Sequence, residues 1–166
     1  FDPTKSDLVS CELSKMDRWA LSRLNTVIGR VDAFLGDYRI TEAARELQAF
    51  VDELSNWYVR RCRDRYWGPD MTPDKRAAYT TLFTCLRDAT LLAAPFLPFM
   101  TEAIYQNIVR SVDPNAPESV HLCDYPQVDA ALIDAELEAH MARVLDIVTL
   151  GRSARNGAGL KVRQPL

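Results

Sequence analysis

A chain of 166 residues with 48% hydrophobic and 26% charged side chains and only six glycines has the make-up of one folded domain with an apolar core, which excludes a disordered or fibrous chain. Its formal charge of -3 excludes a protein that coats nucleic acid or anionic membrane over its whole surface, so a basic site must be local. Cys11, Cys62, Cys85 and Cys123 are scattered without a C-x-x-C pair, which sets aside a zinc ribbon or a disulfide framework.

The first residues, "FDPTKSDLVS", lack a basic and then apolar export signal, and no apolar run approaches the ~20 residues that span a bilayer. The reading is a reduced, cytoplasmic chain with no membrane partner. From Ser14 to Tyr38, Met16, Ala20, Leu24, Val27, Val31, Phe34 and Tyr38 recur at helical spacing, and Ser14 with Asp17 makes a capping pair. After a turn through Gly36 and Asp37, Thr41 is an N-cap for a second helix, with Leu47, Phe50, Val51, Leu54, Tyr58 and Cys62 on its inner face. This helix is predicted to run on to Trp67, where Gly68-Pro69 stops it.

Thr72-Pro73-Asp74 reads as a cap, a first-turn proline and an acidic first turn, opening a third helix with Tyr79, Leu82, Phe83, Leu86, Ala89 and Ala93 as its core face. Pro95 ends or kinks it, and Pro98 opens a fourth segment through Met100, Ile104 and Ile108. Residues 112–127 hold three prolines and read as irregular connection, with "SVHLCDYP" as a short extended piece. A last helix is predicted from about Asp129, with Ile133, Leu137, Met141, Val144 and Val148 on one face. Gly157 and Gly159 end it, and Leu160 to Arg163 alternates as a strand does. The fold class predicted is therefore all-α, an up-and-down bundle of four to five helices with a short extended C-terminal tail.

Enzyme chemistry is missing from these residues. His121 and His140 stand apart from any nucleophile or base and are read as structural, no phosphate loop is present, and pairs such as Asp52 with Glu53 read as solvated helix faces. Charge concentrates instead in "NWYVRRCRDRYWGP", residues 56–69, where four arginines lie between Arg60 and Arg65. On a helical wheel Asn56, Arg60, Arg63 and Trp67 share the outer side, an amide, two guanidiniums and an indole in one line suited to a phosphate backbone with a base to stack. Arg61 and Arg65 fall nearer the core edge and are expected to pair with acidic residues, and Asp64 is within helical reach of Arg60 and Arg61. Arginines at a helix end also have an ordinary explanation, attraction to the negative end of the helix dipole. The same holds for the basic tail with Arg152, Arg155, Lys161 and Arg163.

"MDRW" with "LSRLN", then "NWYVRRCRDRYW", "APFLPFMTEAIYQNIV", "SVHLCDYP" and "GRSARNGAGLKVRQPL" resemble consecutive landmarks of the isoleucyl-tRNA synthetase family, in order, from Asp17 to Leu166. The resembling region is the helical anticodon-binding domain that follows the catalytic core of class I synthetases. The resemblance implies residues 1–13 as a linker from that core, 14–157 as the anticodon-binding domain and 158–166 as the start of a truncated C-terminal junction. It implies the tRNA(Ile) anticodon stem-loop and the catalytic core of the same parent chain as partners, with Asn56, Arg60, Arg63, Trp67, Arg152, Arg155, Lys161 and Arg163 toward RNA. Signatures of the "HIGH" and "KMSKS" type have no counterpart here, so ATP with Mg is implied for the parent enzyme and no cofactor for this fragment. The competing reading is a helical scaffold or interdomain docking module whose arginines serve packing.

Overall fold

A computed structural model describes residues 1–3, 8–161 and 164. It is all-α, with six α-helices and no strand among the described residues. Two compact units divide the chain, residues 1–133 and 134–166.

In the first unit α1 (Lys15–Gly36) begins where Ser14 and Asp17 cap each other reciprocally, as the S-x-x-D spacing predicts. It is the central helix, packed against both α2 and α4. For that reason Trp19, Leu21 and Ile28 are buried together with Ala20, Leu24, Val27 and Val31, a wider face than the single stripe predicted. Each large aliphatic side chain removed from water contributes about 1.5–3 kcal/mol. Buried Asn25 donates to the Leu21 carbonyl and accepts from the Asp129 N–H, pinning a distant loop to α1, whereas the buried Thr81 hydroxyl has no hydrogen-bond partner among the described residues.

The turn after α1 departs from expectation. Gly36 is still helical, and Tyr38 takes the left-handed conformation at φ 57° while the Arg39 N–H reaches back to the Phe34 carbonyl. Thr41 is not the cap of the next helix: α2 (Ile40–Glu53) starts one residue earlier, with Arg39 at the cap position and no side-chain capping bond. Ala43, Leu47 and Phe50 are buried as an inner face, whereas Val51 is half-exposed.

The predicted run to Trp67 is interrupted twice. A π-helical turn spans Leu54–Val59, and Cys62, at φ -90° and ψ 8°, separates it from the short helix α3 (Arg63–Trp67). Leu54, Tyr58 and Cys62 nevertheless stay buried, because the wider turn keeps the inner face turned inward.

Thr72 and Pro73 open α4 (Pro73–Ala93) as predicted, the Thr72 hydroxyl accepting from the Lys75 N–H. Ala89 is buried as expected, but the rest of the inner face differs: Ala78, Thr81, Cys85 and Leu92 are inside, whereas Tyr79, Leu82, Phe83 and Ala93 are half-buried and Leu86 is exposed. Small side chains let α4 come close to α1 and α2 at once, and the large ones are left to the flanks. Pro98 opens α5 (Pro98–Tyr105), which continues as a π-helical turn to Arg110. Its inner face is made by Thr101, Tyr105 and Val109, which are buried, while Met100 and Ile104 are exposed. The Tyr105 hydroxyl decides this, since it donates to the Pro117 carbonyl at 3.0 Å and fastens the following loop over a small core of Ala94, Val109 and Val120. "SVHLCDYP" contains a 3-10 turn at Val120–Leu122 capped by Ser119, because Glu102 accepts from both the Ser119 hydroxyl and the Val120 N–H.

The second unit contains α6 (Ala135–Gly157). Asp134 caps it, so the helix begins later than the predicted Asp129, and Ile133 lies outside it. None of its residues is buried. His140, expected to be structural, is exposed, with Glu136 at 4.0 Å. Gly159 at φ 68° closes the helix and the Leu160 N–H returns to the Arg155 carbonyl, so Leu160 belongs to a helix end and not to a strand. Lys161 is in no strand, and Val162 and Arg163 of the predicted strand lie outside the described residues.

Candidate functional site

Asn56 belongs to the π-helical turn, Arg60 is the residue that follows it, and Arg63 and Trp67 belong to α3. Despite the break at Cys62 all four line one recess of about 510 Å³, together with Ser55, Val59 and Tyr66. Trp67 is 77% exposed, and the Arg63 guanidinium lies over its ring, 5.6 Å from the centroid. Arg60 and Arg63 are exposed, and neither meets a carboxylate among the described residues. A guanidinium without a carboxylate partner keeps its planar fork of donors for an external anion, and an exposed indole offers a flat apolar face.

The other two arginines part company. Arg61, expected near the core edge, is exposed and has no ion pair among the described residues, nor does Asp64 pair with Arg60 or Arg61. The break at Cys62 explains this, because a regular i,i+4 relation does not cross it. Arg65 is the structural arginine. Its guanidinium grips the Asp17 carboxylate with two bonds of 2.8 Å, donates to Asp74 at 2.9 Å with a second ion-pair contact of 2.8 Å, and reaches the Ser14 hydroxyl at 3.3 Å.

Asp17 has no exposed side-chain surface, and it also accepts from the Ser14 N–H and, at 2.6 Å, from the Tyr58 hydroxyl. Burial alone pushes its carboxyl up, but the bonds from Arg65, Tyr58 and Ser14 outweigh that and hold it below the usual carboxylate range. Burial pushes the Tyr58 phenol well up, so it remains a donor. For Arg65 the Asp17 bonds raise the guanidinium further. Sequence reasoning recognised Asp17 only as a cap. The tie to Arg65 has no local signal, since 48 residues separate the two.

The tail residues belong to the second unit. Arg152 is exposed on α6, Arg155 is half-buried and donates to the Lys161 carbonyl at 2.7 Å, and Lys161 is exposed. Arg163 lies outside the described residues. His121, read as structural, is exposed.

The family model described as the anticodon-binding domain of tRNA ligase matches residues 17–166. The chain belongs to that family. Relatives of this anticodon-binding domain include the isoleucine–tRNA ligases of Clostridium novyi, 58% identical over 91% of the chain, and of Dehalococcoides mccartyi, 49% identical over all of it. That of Chlamydia caviae is 44% identical, again over the whole chain. The chain spans only 14–16% of the length of these relatives. An all-α anticodon-binding domain agrees with the helical architecture, and among its described residues no helix is long and apolar enough to cross a membrane. The four cysteines are free.

Proposed function

We propose that this chain is the part of an isoleucine–tRNA ligase that holds the anticodon stem and loop of tRNA(Ile). The observation that carries this reading is the recess in which Arg60 and Arg63 have no internal carboxylate partner beside a largely exposed Trp67. Single-stranded loops present splayed bases that stack on aromatic rings, and phosphates flank them at the reach of arginine side chains. Arg60 and Arg63 take phosphates, Trp67 stacks on a base, and Asn56 offers an amide to a base edge. Arg152, Arg155, Lys161 and Arg163 supply further cationic contacts along the backbone.

In this reading residues 1–13 connect to a catalytic core, 14–157 form the RNA-binding body and 158–166 lead into a further junction. The core carries out isoleucylation in the cytoplasm with ATP and Mg, and no step of that reaction runs through the residues described above. The domain's contribution is to position the tRNA.

Titration with an anticodon stem-loop RNA of tRNA(Ile) at low salt tests the reading. Arg60→Ala combined with Arg63→Ala is expected to weaken binding by about tenfold or more, and an unrelated hairpin to bind more weakly than the cognate one. Equal affinity of the double variant and the parent chain removes the recess as the site. The scaffold reading draws support from Arg65 alone, whose guanidinium is committed to Asp17 and Asp74. It requires that cognate and unrelated RNA bind alike.

A further inference from the structure

Helix α3 is five residues long and contains no buried residue. Such a length is far below what holds a helix in water without tertiary support, and of its five side chains only Arg65 and Tyr66 are half-buried. Its flanks are non-helical, with Cys62 at φ -90° and Gly68 at ψ 149°. Yet α3 carries Arg63 and Trp67, two of the residues that line the recess, with Tyr66 beside them.

Tyr66 and Arg65 hold it, and the Tyr79 hydroxyl donates to the Tyr66 carbonyl at 3.5 Å. The Tyr66 ring meets Tyr79 of α4 edge-on at 5.3 Å, and Arg65 reaches the opposite way into the bundle. Through Arg65, α3 is tied to the first turn of α1 by Asp17 and to the first turn of α4 by Asp74, both the carboxylate and the backbone carbonyl. The Cys62 sulfur, at the break itself, accepts from the same guanidinium at 3.6 Å. Tyr58, in the π-helical turn that carries Asn56, shares Asp17. One carboxylate thus fixes both the turn with Asn56 and the helix with Arg63 and Trp67.

We propose that Arg65, locked on Asp17, is the positioning residue of the recess: it sets the geometry of Asn56, Arg63 and Trp67 for RNA without touching RNA itself. The proposal rests on the RNA-binding reading above. A bidentate guanidinium–carboxylate pair fixes orientation as well as distance, which a lysine or an apolar side chain does not. Asp17, with no exposed side-chain surface, is out of reach of any ligand.

The sign of the effect separates positioning from simple charge. Asp17→Asn and Asp74→Asn each make the chain more positive by one charge, so bulk electrostatics predicts equal or tighter RNA binding. Positioning predicts weaker binding, by about tenfold for Asp17→Asn and for Arg65→Met and a few-fold for Asp74→Asn, the range that one misplaced stacking contact commands. The binding titrations use the 166-residue chain and the same stem-loop RNA, with amide hydrogen exchange on each variant. In Asp74→Asn exchange is expected to quicken at residues 63–67 while the centres of α1 and α4 keep their protection, and in Asp17→Asn and Arg65→Met to quicken more at residues 63–67 than at those centres. If Asp17→Asn loses protection throughout, Asp74→Asn decides, its side chain being 59% exposed and its loss removing only one arm of the grip. RNA affinity at the parent level in the folded aspartate variants, while Arg60→Ala with Arg63→Ala weakens it, overturns the positioning role and leaves the RNA site standing. Parent-level affinity in the double arginine variant instead removes the RNA site, and the positioning role with it.

Discussion

Tyr38 and Gly159 occupy the same position in two helix endings of one design. In both, the following N–H reaches back to the carbonyl five residues before it, from Arg39 to Phe34 and from Leu160 to Arg155. Glycine enters the left-handed region freely, whereas tyrosine brings its Cβ against the backbone at a cost of about 1–2 kcal/mol. The Tyr38 side chain is 89% exposed, so little packing offsets that cost. Tyr38→Gly is therefore expected to raise stability by about 0.5–1 kcal/mol, after allowance for the freer unfolded chain, as read from the urea midpoint. Asp17 is the opposite case, a residue whose charge is stabilising because every oxygen is partnered. Its folded pKa lies below the unfolded value of about 3.9, so its contribution is complete above that pH and is lost as pH falls through the folded pKa. Asp17→Asn should lower stability near pH 6 by about 3 kcal/mol, the scale of removing one partner from a buried pair. Urea unfolding between pH 6 and pH 3 checks this, and the variant should show the shallower fall below pH 4.

At the scale of elements, α1 and the start of α4 were legible because caps are local: Ser14 with Asp17, and Thr72 with Pro73, lie within one turn of the bonds they make. Most of the inner face of α4 was not. Periodicity ranks positions by hydrophobicity, so it selected Leu82, Phe83 and Leu86, while the fold buries Ala78, Thr81 and Cys85. A helix wedged between two neighbours presents its smallest residues to the closest approach, and that arrangement is decided by the neighbours. Substitution distinguishes the faces: Ala78→Leu should cost about 1–3 kcal/mol through overpacking. Leu86→Ala, on the exposed flank, should cost less than about 1 kcal/mol. Equal thermal unfolding losses for the two would contradict the assigned face.

On the scale of the whole molecule, a net acidic chain places its candidate RNA contacts in a local recess, which makes salt dependence the sharper measure of its working. Each phosphate contact on a single strand contributes about 0.7 to the slope of log affinity against log salt, so Arg60→Ala with Arg63→Ala should flatten that slope by about 1.4. An unchanged slope with reduced affinity would assign the two arginines to packing. The sequence by itself determined the all-α class, the caps of α1 and α4, the stop before Gly68-Pro69 and the grouping of Asn56, Arg60, Arg63 and Trp67, because these depend on residues within a few turns of one another. Only the tertiary structure decided that Arg65 is committed to Asp17 while Arg61 is left outside, and that the run to Trp67 breaks at Cys62. A buried ion pair takes its partner from wherever the packed chain brings one, and local spacing carries no record of a carboxylate 48 residues away.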